Sequence, residues 1–537
     1  MNNSDAVRRQ NSQSSAKSSP SPSSNQVPLK SWIAVMGAML GAFMAVLDIQ
    51  ITNASLKDIQ AALGATLEEG SWISTSYLVA EIVVIPMSGW LARVFSTRWY
   101  LVVNAALFIL FSVCCAWAWN LPSMIVFRAL QGFTGGVLIP MAFTIILTTL
   151  PPAKQSIGMA MFAITAVFAP AIGPTIGGWL TENYGWQYIF YLNLIPGLVL
   201  ISAVWYGINP QPLQLNLLKK GDWWGIIAMA IGLGSLQVVL EEGNRKDWFG
   251  SPLIVRLTVI AVIFLTIFFV IEFTRRQPFI NLRLLGRRNF GLASIVNVSL
   301  GVGLYGSVYI LPLYLAQIQG YNALQIGEVI AWLGMPQLLV VPLVPKLMQR
   351  FDTRLLIAVG VSLFAVSCFM NSALTHDTGI DQLRWSLLVR ALGQPLIFVP
   401  LSSIATADIE KEQAGSASGL FNMMRNLGGS MGIAVVGTLV TRREQFHSNR
   451  LGEAVSLYNP ETQQRIEQLT QAFVSRGADL STAQNQAIAS ISNIVRREAY
   501  VMAINDCFYF IAWALLLSSI AILLFKKVKV SGGAAAH

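Results

Sequence analysis

Charge is scarce in this chain. Only 12% of its 537 residues are Asp, Glu, Lys or Arg, about half of what a water-facing surface requires. No polar stretch is long enough to clothe the several domains that a soluble chain of this length would form, so lipid is the solvent for most of it. Histidine is scarcer still. His376, His447 and His537 are scattered over loops and the tail, with no zinc spacing. Cys114, Cys115, Cys368 and Cys507 fall in or at the start of apolar runs, also without metal-ligand spacing, and read as small packing residues rather than disulfides. No Walker loop is present to hold ATP. The one dinucleotide-like phrase, Gly301 to Gly306, lies inside an apolar run with no strand before it, so the mechanism behind that motif is missing. No cofactor, metal or enzyme chemistry is expected.

What is there is apolar: 54% of the residues, with fifteen tryptophans. A helix needs about 20 apolar residues to cross the hydrocarbon core. That ruler predicts an all-α polytopic membrane protein with fourteen spans. Seven lie near 32–54, 72–91, 99–119, 122–149, 157–180, 187–208 and 223–240. Seven more lie near 253–273, 290–314, 324–345, 355–373, 385–406, 415–440 and 500–525. Residues 1–30, rich in Ser, Asn, Gln and Pro, read as a disordered cytoplasmic tail without a signal-peptide core. Residues 531–537 read as a second tail.

Two stretches about 256 residues apart spell nearly the same phrase, WLARVFSTRWYLVV from Trp90 and KLMQRFDTRLLIAV from Lys346, each preceded by a proline (Pro86, Pro342). Arg128-Ala129-Leu130 before Pro140 is echoed by Arg390-Ala391-Leu392 before Pro400. Duplication at this period predicts two bundles related by a parallel repeat, with a binding site between them. The halves fall at 31–210 and 276–530, each of six helices. Residues 211–275 are then an inserted pair of helices with flanking loops.

Lysine and arginine orient the chain. With the N-terminus inside, inner segments collect 21 of the 36 basic residues, among them Arg93, Arg98 and the run Arg275 to Arg288. Both ends are therefore expected in the cytoplasm. The net charge of +10 reports membrane topology, and no nucleic-acid partner is expected.

Ionisable residues inside spans are costly, which makes each a functional hypothesis. Asp48 lies sixteen residues after Trp32 and Arg128 six after Pro122, placing both in the outer third of the membrane. Proton coupling by Asp48, tuned by Arg128, stands beside a purely structural or snorkelling role. Glu81 and Arg425 both fall near the midplane, one in each half. They either meet as a lock between the halves, or Glu81 is a protonated, hydrogen-bonded core residue. Arg390 and Asp506 sit closer to the outer surface and are expected to snorkel. Aromatic and methionine-rich surfaces should line the cavity. By helix face the candidates are Tyr77, Phe133, Tyr305, Tyr309 and Met335, with Asn422 beside Arg425.

Several phrases together carry a resemblance. LDIQITNASL from Leu47, FRALQGFTGG from Phe127 and APAIGPTIGG from Ala169 are similar to the first-, fourth- and fifth-span motifs of the major facilitator superfamily. The type resembled is the fourteen-span drug:proton antiporter known as EmrB/QacA, and WQYIFYLNLIPG from Trp186 is specifically EmrB-like. The resemblance covers essentially everything after Lys30. It implies that Asp48 and Arg128 are the motif acid and arginine, and that Gly173, Pro174, Gly177 and Gly178 form the antiporter motif. It also implies alternating access and proton-driven export of lipophilic or amphipathic compounds from a bacterial inner membrane. One departure stands out. The inner loop after the second span normally reads G-x-L-A-D-R-x-G-R-K, whereas here Gly89 is followed by Arg93 in the acid's place and Ser96 in a glycine's. Gating there is left to Gly89, Arg93, Arg98 and the neighbouring helix ends. The alternative is export of one specific metabolite, fatty acid or siderophore; a proton-coupled importer and a non-transporting scaffold are the further rival readings.

Residues 442–499 are the only large hydrophilic insertion on the outer side. Asn459-Pro460 reads as a helix start and Gly477 as its stop. Ile466, Leu469 and Phe473 share one face, and a second helix with Ile488, Ile491 and Val495 runs toward the last span. The apolar stripe either folds over the protein's own mouth or, as the resemblance implies, meets a periplasmic adaptor of the EmrA-like membrane-fusion type that leads to an outer-membrane channel.

Overall fold

In a computed structural model the described residues are 27–219, 221–275, 278–456 and 458–526. The expected tails lie outside them except for residues 27–30, of which Pro28 is the cap of the first helix and Leu29 and Lys30 belong to it. Among the described residues every regular element is helical. Lipid requires this, because a helix satisfies its own backbone donors and acceptors.

The first group of helices is α1 (Leu29–Ala54), α2 (Trp72–Val84), α3 (Ser88–Phe95), α4 (Thr97–Ala116), α5 (Leu121–Gly135), α6 (Leu138–Thr149), α7 (Pro152–Tyr184) and α8 (Leu194–Gly207). A hairpin follows, α9 (Trp223–Glu242) and α10 (Pro252–Thr274). The last group is α11 (Arg288–Gln317), α12 (Ala323–Val340), α13 (Val344–Arg350), α14 (Thr353–Met370), α15 (Ile380–Thr406), α16 (Ala414–Ala454), α17 (Pro460–Val474) and α18 (Leu480–Leu523). Twelve helices are long and apolar enough to cross a membrane among the described residues, with α5 and α6 counted as one. The count is thirteen when α2 and α3 form one span, bent by 63°. Pro86 lies in the break and has no N–H to donate across it. The remaining expected span lies in α16, which is 41 residues long but dilutes its apolar run with Asn422, Arg425 and Asn426.

The repeat extends into backbone detail. Thr66 accepts from the Glu69 amide at 3.3 Å before α2, and Asn322 accepts from the Gln325 amide at 2.9 Å before α12. Each is a reciprocal capping box, 256 residues from the other.

Packing sorts the helices. α1 packs on α6, α7 and α8, and α2 on α5, while α11 packs on α16 and α18, and α14 on α15. The two groups touch along α7 with α12 and α15, and along α16 with α3 and α6. At the end where α1 begins the approach is backbone to backbone. A Cβ placed on Gly89 would lie 2.4 Å from the carbonyl carbon of Gly415, and the Ser418 hydroxyl donates to the Pro140 carbonyl at 2.7 Å. That end is closed. The hairpin is asymmetric. α9 packs against α2 on one side and α16 on the other, so it bridges both groups. α10 packs mainly on α9 and is only 17% buried across its apolar stretch.

At the opposite end α16 and α18 are far longer than a span. Their 41 and 44 residues run about 60 and 66 Å, against a core of about 30 Å. α17, which follows α16 in the chain, packs along α18. Asn459 caps α17 by accepting from the Glu461 amide at 3.0 Å, Pro460 is its first residue, and Gly477 takes φ +98° after its end. Asp506, expected to snorkel, instead ties α18 to α16: its Oδ2 accepts from Arg443 Nε at 2.5 Å and lies 2.7 Å from His447 Nε2.

Candidate functional site

Asp48 and Arg128 meet. Asp48, in the last third of α1, is 3% exposed and its Oδ2 lies 2.6 Å from Arg128 Nη1 on α5. Its Oδ1 accepts from Gln131 Nε2 at 2.9 Å and from Asn193 Nδ2 at 2.7 Å. Asn193 also donates to Ser112 on α4, and Arg128 donates to the Ile73 carbonyl and to Gln131. Tyr77 covers the guanidinium, its ring centre 4.3 Å from Arg128 Cζ. Both charges are thus paired and their remaining hydrogen-bonding capacity is largely filled, which is the condition under which buried charge is tolerated. The cluster belongs wholly to the first group of helices. Gln131, Asn193 and Ser112 were absent from the sequence-derived candidates. A polar side chain within the apolar run after Trp186 was the available signal for Asn193.

Glu81, 3% exposed on α2, sits elsewhere. It faces a cavity of about 90 Å³ bounded by α1, α2, α6, α9, α11 and α16. Its Oε1 is 3.4 Å from Asn426 Nδ2 on α16, a contact between the two groups of helices. Arg425, its partner in one of the two readings, makes no ion pair with it. Arg425 donates to Asn422 Oδ1 at 3.0 Å and lies 5.9 Å from the ring centres of Phe162 and Phe398. The reason is helical geometry: neighbours on a helix point about 100° apart, so Asn426 meets Glu81 while Arg425, close by, spends its contact on Asn422.

The cavity also receives Gln237 and Glu241 from α9, one helical turn apart. Gln237 Nε2 donates to Glu241 Oε1 at 3.0 Å and to Ser430 Oγ on α16 at 2.8 Å. Neither α9 residue was a sequence-derived candidate, because Glu241 falls just past the expected end of the seventh span.

Of the expected cavity residues, Tyr305 lines this space. Tyr77 is instead part of the Asp48 cluster, and Asn422 is buried within α16 packing, donating to the Ser418 carbonyl at 2.9 Å. Phe133, Tyr309 and Met335 are not among the residues that line it, and are 40%, 38% and 55% exposed. These helices are apolar on all sides, so hydrophobic pattern does not tell an inward face from an outward one.

The motif glycines pack rather than bind. A Cβ on Gly173 would lie 2.5 Å from Gln50 Cβ, and one on Gly177 would lie 2.9 Å from the Ile51 carbonyl oxygen. α7 thereby presses on α1 just past Asp48, and the helix continues through Pro174 to Gly178 and beyond. In the bend region Gly89 makes the contact with Gly415. Arg93 is exposed beside a second cavity of about 500 Å³, and Arg98 lies over the Trp205 ring at 3.9 Å.

Arg390, the echo of Arg128, does not snorkel. It is 2% exposed, with its Cζ 4.7 Å from the Phe364 ring centre. The Gln394 amide, with its oxygen turned to the guanidinium, lies 3.0 Å from Nε and 3.3 Å from Nη2, and its far end meets Gln337 at 2.8 Å. Gln337 lies 256 residues after Glu81. Where the first half carries a carboxyl, the second carries a neutral amide.

An all-helical chain with two packed groups, a buried ion pair and a cavity between the groups defines a membrane carrier. Residues 38–433 match the Major Facilitator Superfamily. The chain is 35% identical over 480 residues to the colistin resistance protein EmrB of Acinetobacter baumannii, covering 89% of this chain and 93% of that one. It is 32% identical over 512 residues to the multidrug export protein EmrB of Escherichia coli, covering 94% and 98%. It is also 32% identical over 486 residues to the fatty acid resistance protein FarB of Neisseria gonorrhoeae, covering 90% and 94%. The solved structure of the proton:xylose symporter XylE superposes with a TM-score of 0.60 at 13% identity, over 94% of this chain and 98% of that one. This chain belongs to the major facilitator superfamily, among its EmrB-type transporters, and is a multi-pass membrane protein.

Proposed function

We propose that this protein is a proton-driven exporter of amphipathic compounds in a bacterial inner membrane. It works by alternating access of a first half at 31–210 and a second at 276–530. The reading takes fourteen spans, adding α16 to the thirteen counted by length and hydropathy, and places both chain ends in the cytoplasm. The observation that carries it is Glu81: a carboxyl with one long hydrogen bond, at 3.4 Å, facing a cavity between the halves. A proton can join or leave it without dismantling a network. Asp48 differs, since a proton on it would displace one of three donors. Glu81 is therefore the exchanging acid, and the Asp48–Arg128 pair sets the shape of the first half. A pH gradient and a membrane potential, about 2.3 kcal/mol per charge per 100 mV, drive the cycle.

The outer helices support a partner. α16 and α18 project about 30 Å beyond the core, and Ile488, Ile494 and Leu480 are 46%, 45% and 64% exposed there. We assign this surface to an EmrA-like periplasmic adaptor that passes cargo to an outer-membrane channel. Similarity to FarB favours a second reading, export of fatty acids. Efflux from a drug-sensitive strain, with the adaptor co-expressed and a proton uncoupler added or withheld, tests the proposal across a panel of drugs and fatty acids. Export that ignores the uncoupler overturns it.

A further inference from the structure

Two further cavities meet where α11 begins and α18 ends, and Arg288 lines both. One is a groove of about 640 Å³ whose wall is apolar apart from Arg288 and Ser294, and Ser294 gives its hydroxyl to the Phe290 carbonyl at 2.8 Å. Ile295 and Val298 line it about 10 and 15 Å along α11 from Arg288, so the groove runs from the membrane surface into the hydrocarbon. Ile295 and Leu524 are 57% and 50% exposed there. The other cavity, of about 310 Å³, is basic: Arg287, Arg288 and Lys526 line it with a single acid, Asp408. Its donors lack acceptors. Arg288 donates from Nε to the Leu524 carbonyl at 2.8 Å, and its two terminal nitrogens have no partner among the described residues. Lys526 is fixed through its backbone amide, which donates to Asn289 Oδ1 at 2.9 Å, while its ammonium has no partner among those residues. Asn289, 7% exposed, likewise keeps its Nδ2 unpartnered. Arg287 is held by the Asp408 carbonyl and the Gln413 side chain, and adds its charge.

We propose that this pair of cavities seats an anionic phospholipid, its phosphate on Arg288, Asn289 and Lys526 and an acyl chain along the groove beside α11. A guanidinium fork matches phosphate oxygens two at a time, and basic pockets at the cytoplasmic ends of spans suit anionic head groups. Other candidates satisfy only part of the site. A zwitterionic lipid brings the phosphate together with a cation that the pocket's own charge repels. A soluble phosphate ester uses the donors and leaves the groove empty. A fatty acid fills the groove but brings a single carboxylate to a pocket with three basic residues. The site stands whatever the carrier exports. Its place in the fold gives it a task, because α11 packs on α16 and α18 and all three contribute to the groove. Gln413, which Arg287 holds, stands two residues before Gly415 of the seal between the halves. A lipid in this position braces the second half at its closed end.

The test uses the full chain in detergent micelles, titrated with phosphatidylglycerol, phosphatidylcholine, oleate or glycerol phosphate, with the rise in unfolding temperature reporting binding. Phosphatidylglycerol should bind saturably, phosphatidylcholine about tenfold more weakly, and oleate and glycerol phosphate more weakly than phosphatidylglycerol. Arg288→Gln and Lys526→Gln should each weaken phosphatidylglycerol about fivefold, the effect of one basic residue near the membrane surface, and leave phosphatidylcholine unchanged. Ile295→Trp, which fills the groove from an exposed position, should weaken both phospholipids. Arg350→Gln on α13, a basic residue lining neither cavity, should change nothing. The unfolding temperature without lipid shows whether each variant is folded, and Lys526→Gln removes no contact that the fold uses. Equal binding of the two phospholipids, or phosphatidylglycerol affinity unchanged in folded Lys526→Gln, overturns the proposal. A loss in Arg350→Gln as large as that in Lys526→Gln also overturns it, as a general effect of a basic surface. Tighter binding of oleate or glycerol phosphate than of phosphatidylglycerol overturns it in favour of a fatty acid or a soluble phosphate.

Discussion

Asn426 reaches across from the second half of the molecule to place its Nδ2 3.4 Å from Glu81 Oε1. This single polar contact joins the acid of one half to the amide of the other, and Arg425 next door takes no part in it. A double-mutant cycle follows. Glu81→Gln and Arg425→Gln should affect unfolding stability independently, within about 0.5 kcal/mol of additivity. Glu81→Gln with Asn426→Leu should depart from additivity by more than that.

Asp48 and Arg128 are mutually dependent. Asp48→Ala leaves a guanidinium at 1% exposure without its counter-charge, which costs about 3–5 kcal/mol. The double variant Asp48→Ala with Arg128→Leu should recover much of that loss, because removing a buried pair together is often nearly neutral. Thermal unfolding in one lipid system reads both. An Asp48→Ala protein that melts like the parent but fails to couple protons would return the exchanging role to Asp48.

The contact of Gly89 with Gly415 is where the two halves seal one end. Gly415→Val inserts a side chain where a Cβ already meets Gly89 Cα at 2.9 Å. The seal should fail, and a cysteine introduced at Ser418 should become several-fold more reactive to a membrane-impermeant thiol reagent from that side. Unchanged reactivity would place the closure elsewhere.

The projecting helices predict a separation of functions. Ile488→Asp with Ile494→Asp alters two side chains at 46% and 45% exposure, a surface change expected to cost under about 0.5 kcal/mol. Co-purification with the adaptor should be lost, while transport in liposomes continues. Loss of both would show that the outer helices serve the carrier itself.

Twelve of the fourteen expected spans, thirteen with the bent pair, were legible because hydrocarbon thickness imposes length, and the repeat because duplication kept Pro86 with Pro342 and Arg128 with Arg390. That Asp48 and Arg128 each want a partner followed from their depth; that they meet each other, rather than snorkel, did not. Helix faces did not follow. Apolar residues cover these helices all round, so Phe133 and Met335 looked as suited to the cavity as Tyr305 did. Arg390 looked close enough to the surface to escape, yet a ring and an amide hold it inside. Glu241 was hidden for a different reason. It stands at the end of its helix, where an acid ordinarily faces water, and only the bridging position of α9 turns it to the cavity. A glutamine one turn earlier inside the apolar run was the one available signal.

The central claim is that Glu81 carries the proton that drives export. Purified protein in liposomes, given a pH gradient and an amphipathic dye, measures it directly, with the parent and Glu81→Gln compared for gradient-driven accumulation and for exchange without a gradient. The account predicts that Glu81→Gln loses accumulation and keeps exchange. Accumulation by Glu81→Gln at the parent's rate, under the same gradient, would contradict it.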